Sequence, residues 1–211
     1  MEERNVIVTL NKAKEWFNSG NATLREIALQ AFDKDELTYN FKNITTFKKA
    51  CEALGLNYNA MFHITKSIAT ISRASAAMTK LNIIRKALNL GQDLHLTKDP
   101  KDCCIYYPYN PFVTKSSTHY KSEINSGEME VIGKIKSEGE EYNVLGGASH
   151  GGSAGLGGFC SEYGMGGAYA AFGFLGCANE EIAQHLGKYF GMLITEAKYG
   201  DMVDFEIIYT I

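Results

Sequence analysis

The stretch NAMFHITKSIATISRASAAMTKLNIIRKALNLG, residues 59–91, decides the architecture. Met61, Ile64, Ile68, Ile71, Ala74, Met78, Leu81, Ile84 and Leu88 recur at steps of three and four, and no Gly or Pro interrupts them before Gly91. That period puts apolar side chains on one face of a helix. It predicts one long helix over residues 59–89, roughly 45 Å long at about 1.5 Å per residue. The seam lies close to a heptad repeat, which suits packing against shorter helices or against copies of the same chain. Ser67, Ser72, Ser75 and Thr79 thin the stripe and favour close packing over a strong zipper. His63 is expected on the flank of this helix.

Shorter helices precede it. Ala13, Trp16 and Phe17 share a face over residues 11–19, and Ser19-Gly20-Asn21 ends that helix. Thr23 and Glu26 have the spacing of a capping box, followed by Leu24, Ile27, Ala28, Ala31 and Phe32 at helical steps. Another helix starts at Thr45 or Thr46, runs through Phe47, Ala50 and Leu54, and stops at Gly55, where a left-handed residue is favoured. Short helices with tight turns resemble a helix-turn-helix, but a DNA-reading helix presents basic and amide side chains at its start. Only Lys48 and Lys49 offer a version of that.

Beyond residue 91 the composition changes. Residues 103–109 (CCIYYPY) predict a strand closed by Pro108, which cannot donate to a ladder. Phe112-Val113 begins a short extended piece, and the polar residues 115–127 are expected to be a loop. Residues 129–136 and 142–145 suit two strands, with Ser137-Glu138-Gly139-Glu140 as the turn between them. From Gly146 to Gly176 there are 12 glycines in 31 residues. Glycine costs about 1 kcal/mol against alanine at each interior helical position, so this block predicts tight loops and short strands with backbone close to backbone. It carries neither the Gly-Lys-Ser/Thr ending of a P-loop nor a clear strand–glycine–helix setting for a dinucleotide. Residues 168–177 are expected to be a buried strand. Asn179 caps a last helix whose apolar face holds Ile182, Leu186, Tyr189, Phe190, Leu193 and Ile194, and residues 205–209 form a closing strand.

Charge divides along the chain. Residues 10–89 hold 12 Lys or Arg and 6 Asp or Glu, whereas residues 90–211 hold 8 and 16, within a total of −3. A basic half next to an acidic half suits an acidic partner or an encounter between the two halves. The five cysteines, two adjacent and none in a Cys-x-x-Cys pair, argue against a disulfide framework or a cysteine-based zinc site. None of the five histidines makes a His-x-x-x-His pair. A Cys160–His150 thiol–imidazole pair is the sole catalytic arrangement to suggest itself, across ten residues of glycine-rich chain. No catalytic residue, cofactor or metal site is therefore expected. No apolar run reaches the roughly 18 residues that span a membrane, and the first residues lack a secretory pattern. Synthesis in the bacterial cytoplasm is expected.

The segments Ile84-Arg85-Lys86-Ala87-Leu88-Asn89-Leu90-Gly91, Tyr106-Tyr107-Pro108, Phe172-Gly173-Phe174-Leu175-Gly176-Cys177 and the run from Asn179 to Phe190 resemble a group of proteins encoded by tailed phages and prophages of gut bacteria. The likeness spans residues 84–200, and residues 16–54 also look similar to N-terminal parts in that group. It implies a phage protein, within the virion or acting inside the host cell, without supplying an activity. Leu145-Gly146-Gly147-Ala148-Ser149 with Gly173-Phe174-Leu175 further resembles the paired motifs of the C-type-lectin-like fold of the formylglycine-generating-enzyme type. Leu175 stands where that family carries Arg, and no Trp follows Ser149. The resemblance implies a ligand surface between the motifs, with Ser149, His150, Ser153, Glu162, Tyr163 and Tyr169 as its ligand-binding candidates.

The sequence thus predicts an α+β protein. A helical bundle with one long helix is expected over residues 1–90, and a glycine-rich mixed β domain with a helix near its end over residues 91–211. The expected function is non-catalytic: a phage-associated structural or recognition protein, self-associating or joined to other phage proteins, with a host-surface or glycan ligand. The alternative is an intracellular regulator that binds nucleic acid through its basic helical half.

Overall fold

The structure, a computed structural model, describes residues 8–90, 104–118, 120–153 and 175–209. The fold is α+β, with helices set beside antiparallel strands. Its two compact units are Met1–Asn40 and Phe41–Ile211. The expected division near residue 90 falls inside the second unit, where a hydrophobic core runs from Ile44 through Leu81, Ile84 and Leu88 to Ile182, Leu186 and Phe190.

The first unit holds α1 (Leu10–Asn18), α2 (Ala22–Ala31) and α3 (Lys34–Leu37). Their buried side chains are Ala13, Ala28 and Leu37, with Trp16, Phe17 and Phe32 packed around them. The cap of α2 is Asn21, whose Oδ1 accepts from the Leu24 amide at 3.2 Å. The expected Thr23–Glu26 box is not used, because Asn21 takes the cap two residues earlier. A box of that kind does stand on α3, where the Glu36 carboxylate accepts from the Asp33 amide at 3.1 Å.

The second unit opens with α4 (Phe47–Ala53), α5 (Tyr58–Ala69) and α6 (Arg73–Leu88). Thr46 caps α4 as expected and Gly55 follows it at φ +67°. The single long helix over residues 59–89 is corrected to two, because hydroxyl groups claim the backbone at residues 70–72. Thr70 Oγ1 donates to the Ser67 carbonyl at 2.7 Å. Ser72 is extended, and its Oγ accepts from the Ser75 amide at 2.9 Å. Asp201, far away in sequence, completes the start of α6: its Oδ1 accepts from the Arg73 amide at 2.7 Å and its Oδ2 accepts from Ser72 Oγ at 2.5 Å. Serine and threonine offer the backbone an alternative to helical bonds, and here they prevail over the apolar period.

Two sheets follow. β1 (Cys104–Tyr109) pairs antiparallel with β5 (Ala148–Ser153). β2 (Phe112–Thr114), β3 (Glu130–Ser137), β4 (Glu140–Gly146) and β6 (Phe205–Tyr209) form an antiparallel sheet in the order β2-β4-β3-β6. Pro108 lies inside β1, opposite Ser149, and does not close it. A strand at the edge of a sheet tolerates a residue without an N–H. Residues 115–127, expected to be a loop, contain α7 (Lys121–Ser126). Ile124 anchors it on Val113, Met129 and Leu145, and Gly127 ends it at φ +80°. Of the expected strand over 168–177, residues 175–177 are described; they are buried, and Cys177 makes one antiparallel bridge to Tyr106.

α8 (Glu180–Tyr199) organises the unit. Asn179 caps it, accepting from the Ile182 amide at 2.9 Å. Ile182, Ala183, Leu186 and Phe190 enter the cluster shared with α6, while Met192 joins Ile135 and Val144 of the sheet. Asn110 ties sheet to helix by donating to the Leu145 and Gly187 carbonyls, both at 2.9 Å. Among the described residues, no helix is long and apolar enough to cross a membrane.

Candidate functional site

Three of the expected ligand-binding residues lie on one strand. Ser149, His150 and Ser153 sit on β5 opposite Pro108, Tyr107 and Cys104. Glu162, Tyr163 and Tyr169 lie outside the described residues, as does Cys160 of the thiol–imidazole arrangement.

A cleft of about 470 Å³ lies at the point where the chain enters β5. That volume falls within the roughly 300–1,000 Å³ of small-ligand pockets. One wall is the polar flank of α8, with Glu181, Gln184, His185, Lys188 and Tyr189. The facing wall is Gly127, Glu128, Glu130 and the Gly146-Gly147 turn, and Phe41 and Lys42 complete it. Gly147 immediately precedes β5, so the cleft and the strand carrying Ser149 and His150 are continuous along the backbone.

His185 is the central group. It is buried, and its Nε2 lies 2.8 Å from the Ile44 carbonyl oxygen. A carbonyl only accepts, so Nε2 carries the hydrogen, and the neutral ring keeps its lone pair on Nδ1. The ring lies 4.5 Å from that of Tyr189 and meets Phe41 edge-on at 5.5 Å. Burial lowers the imidazole from its ordinary pKa; the Lys188 and Lys42 charges push the same way, and only the Ile44 bond opposes them.

Two ion pairs flank this aromatic centre, Lys42 with Glu181 at 3.2 Å and Lys188 with Glu130 at 3.0 Å. All four side chains are substantially exposed, and exposed pairs contribute about 0–1 kcal/mol. A ligand that takes over one partner therefore displaces little. Tyr189 is 46% exposed, leaving part of its ring open to stacking. The arrangement can hold a polar ligand between an aromatic face, carboxylates, ammonium groups and a glycine-lined backbone. Among the described residues, no group of three or more His, Cys, Asp or Glu side chains is placed to hold a metal ion.

The sequence reading placed Tyr189 on the apolar face of the last helix and assigned no role to His185. Their signal was present in the spacing of Glu181, His185 and Lys188, which are four and three residues apart on one flank. The opposing wall comes from residues 41–42, 127–130 and 146–147, and no local pattern joins those three places.

The buried neutral imidazole has a consequence for stability. A folded-state pKa below the unfolded value of about 6.5 means that stability is complete above that pH and is lost as pH falls toward the folded-state pKa. Urea unfolding at pH 7.5 and 5.5 is expected to show a larger loss in the parent chain than in His185→Gln. Equal losses would show that His185 is not held neutral by burial.

No family model matches the chain, and no curated protein or solved structure matches it.

Proposed function

We propose that this chain is a non-catalytic binding or structural protein of a phage or prophage, and that the cleft between α8 and the Gly146-Gly147 turn receives its ligand. The observation that carries the recognition reading is the exposed Tyr189 ring, tilted against the buried His185 ring at 4.5 Å and framed by two exchangeable ion pairs. Pockets that orient polar ligands combine apolar faces with a few placed polar groups, and this cleft has both. The phage setting rests on the resemblance of residues 84–200 described above. The likeness of the two glycine motifs to a C-type-lectin-like display scaffold supports the same reading. The ligand class that fits is a small polar molecule or the terminal sugar of a host-surface glycan.

The test is a glycan and host-surface binding screen with the parent chain and Tyr189→Ala, alongside solution mass. Saturable binding is expected, weakened about tenfold in the variant, which corresponds to roughly 1.4 kcal/mol. A strict monomer that binds no glycan and no host surface would sink the reading.

A further inference from the structure

The chain's positive charge is concentrated in one layer of the fold. Residues 10–40 hold four Lys or Arg against five Asp or Glu, whereas residues 41–89 hold eight against one, Glu52. The basic excess of residues 10–89 thus belongs to the α4–α6 layer and not to α1–α3. Two of the eight are committed elsewhere, Arg73 to Glu196 and Lys42 to Glu181. Lys48, Lys49 and Lys66 are exposed. Lys48 has a loose 3.9 Å contact with Glu52, and Lys49 reaches Thr45 Oγ1 at 3.4 Å.

An aromatic row runs through the same place. The rings of Phe47 and Tyr58 are 6.1 Å apart, those of Tyr58 and Phe62 5.9 Å, and those of Phe62 and His63 6.0 Å. Phe62 is 42% exposed. Residues 58, 62 and 66 are four apart on α5, so Lys66 continues the ridge that Tyr58 and Phe62 form. At the other end of the row, Lys48 and Lys49 follow Phe47 in the first turn of α4.

Exposed aromatics between basic residues are the arrangement that binds single-stranded nucleic acid: bases stack on the rings and phosphates meet the cations. We propose that the α4–α5 face binds single-stranded nucleic acid, with a base on Phe62 and phosphates at Lys48, Lys49 and Lys66. Duplex recognition by a helix needs basic and amide side chains on the inserted face. The exposed part of α5 sets two large apolar side chains, Phe62 and Ile64, among Asn59, His63 and Lys66, and the base faces of a duplex are already stacked. A second copy docked face to face would oppose two basic surfaces. The exposed Lys48, Lys49 and Lys66, with Glu52 the one carboxylate in residues 41–89, therefore select a polyanion, and the exposed Phe62 ring selects one with planar rings.

The test uses the full chain with fluorescent oligothymidylate of roughly 20 nucleotides, a duplex of equal length, and polyglutamate as competitor. Binding to the single strand is expected at about 50 mM salt, and three phosphate contacts at about 0.7 each give a slope near −2 in log K against log salt. Phe62→Ala should weaken binding about tenfold and leave the slope unchanged, since stacking is not a salt-dependent contact. The triple variant Lys48→Gln, Lys49→Gln, Lys66→Gln should flatten the slope. Circular dichroism melts confirm that both variants stay folded, as their exposed positions predict. Absence of binding, equal affinity for the duplex, equal competition by polyglutamate, or full affinity in Phe62→Ala would each overturn the proposal.

Discussion

A chain that begins at Phe41 is expected to fold and melt cooperatively, while one that begins at Gly91 is expected to be unfolded. The difference lies in which elements share a core. Leu81, Ile84, Ala87 and Leu88 of α6 are fully buried in the cluster that also contains Ile182, Ala183 and Leu186 of α8. Burying one Leu or Ile contributes about 1.5–3 kcal/mol, so losing Leu81, Ile84 and Leu88 alone removes roughly 5–9 kcal/mol. A domain holds about 5–15 kcal/mol in total. Polar ties go as well. Asn89 donates to the Gly176 carbonyl at 3.3 Å and accepts from the Ala178 amide at 2.8 Å, and Arg73 pairs with Glu196 at 3.2 Å. Circular dichroism and thermal melts of the two fragments check the expectation. A cooperative melt from residues 91–211 would show that the glycine-rich region has a core of its own and that α6 is dispensable.

The same comparison explains which parts of the fold the sequence disclosed. Thr46 and Gly55 around α4, Asn179 before α8, and the turn at Glu138 and Gly139 were legible because each acts within a few residues of itself. The apolar period of residues 59–89 was read as one helix because periodicity registers side-chain faces and ignores hydroxyl competition. Ile71 fits the period, yet it is 90% exposed at the break between α5 and α6. The carboxylate that fixes this break, Asp201, lies 129 residues from Ser72, beyond the reach of any local pattern. Charge halves also misled, since composition changes near residue 90 while packing joins α6 to α8. The glycine motifs point to Ser149, His150 and Ser153 on β5, whereas His185 and Tyr189, which line the cleft, are hidden among the apolar residues of α8. Their chemistry arises from Ile44, Phe41 and Glu130, which only the tertiary fold brings to them.

Replacing Gly147 by alanine is expected to be among the most damaging single changes in the second unit. Gly147 joins β4 to β5, turning the chain out of the four-stranded sheet and into the ribbon with β1. Its φ of +112° is a conformation that L residues rarely adopt, and a Cβ there would fall on the Glu128 carbonyl oxygen. The obstacle is backbone, so no side-chain rotation relieves it. Strain of about 1–3 kcal/mol adds to overpacking of about 1–3 kcal/mol, a loss of roughly 2–6 kcal/mol. At about 2–4 °C per kcal/mol for a chain of this size, the melting temperature should fall by the order of 10 °C. Gly139→Ala separates the two causes, because Gly139 also has a positive φ, +84°, but has no atom within 4 Å of an added Cβ. That variant should lose only the strain. If the two alanine variants melt together, the close approach of Gly147 to Glu128 contributes nothing. If Gly147→Ala is the weaker by several degrees, the contact that shapes the facing wall of the cleft also holds the two sheets in their relation to each other.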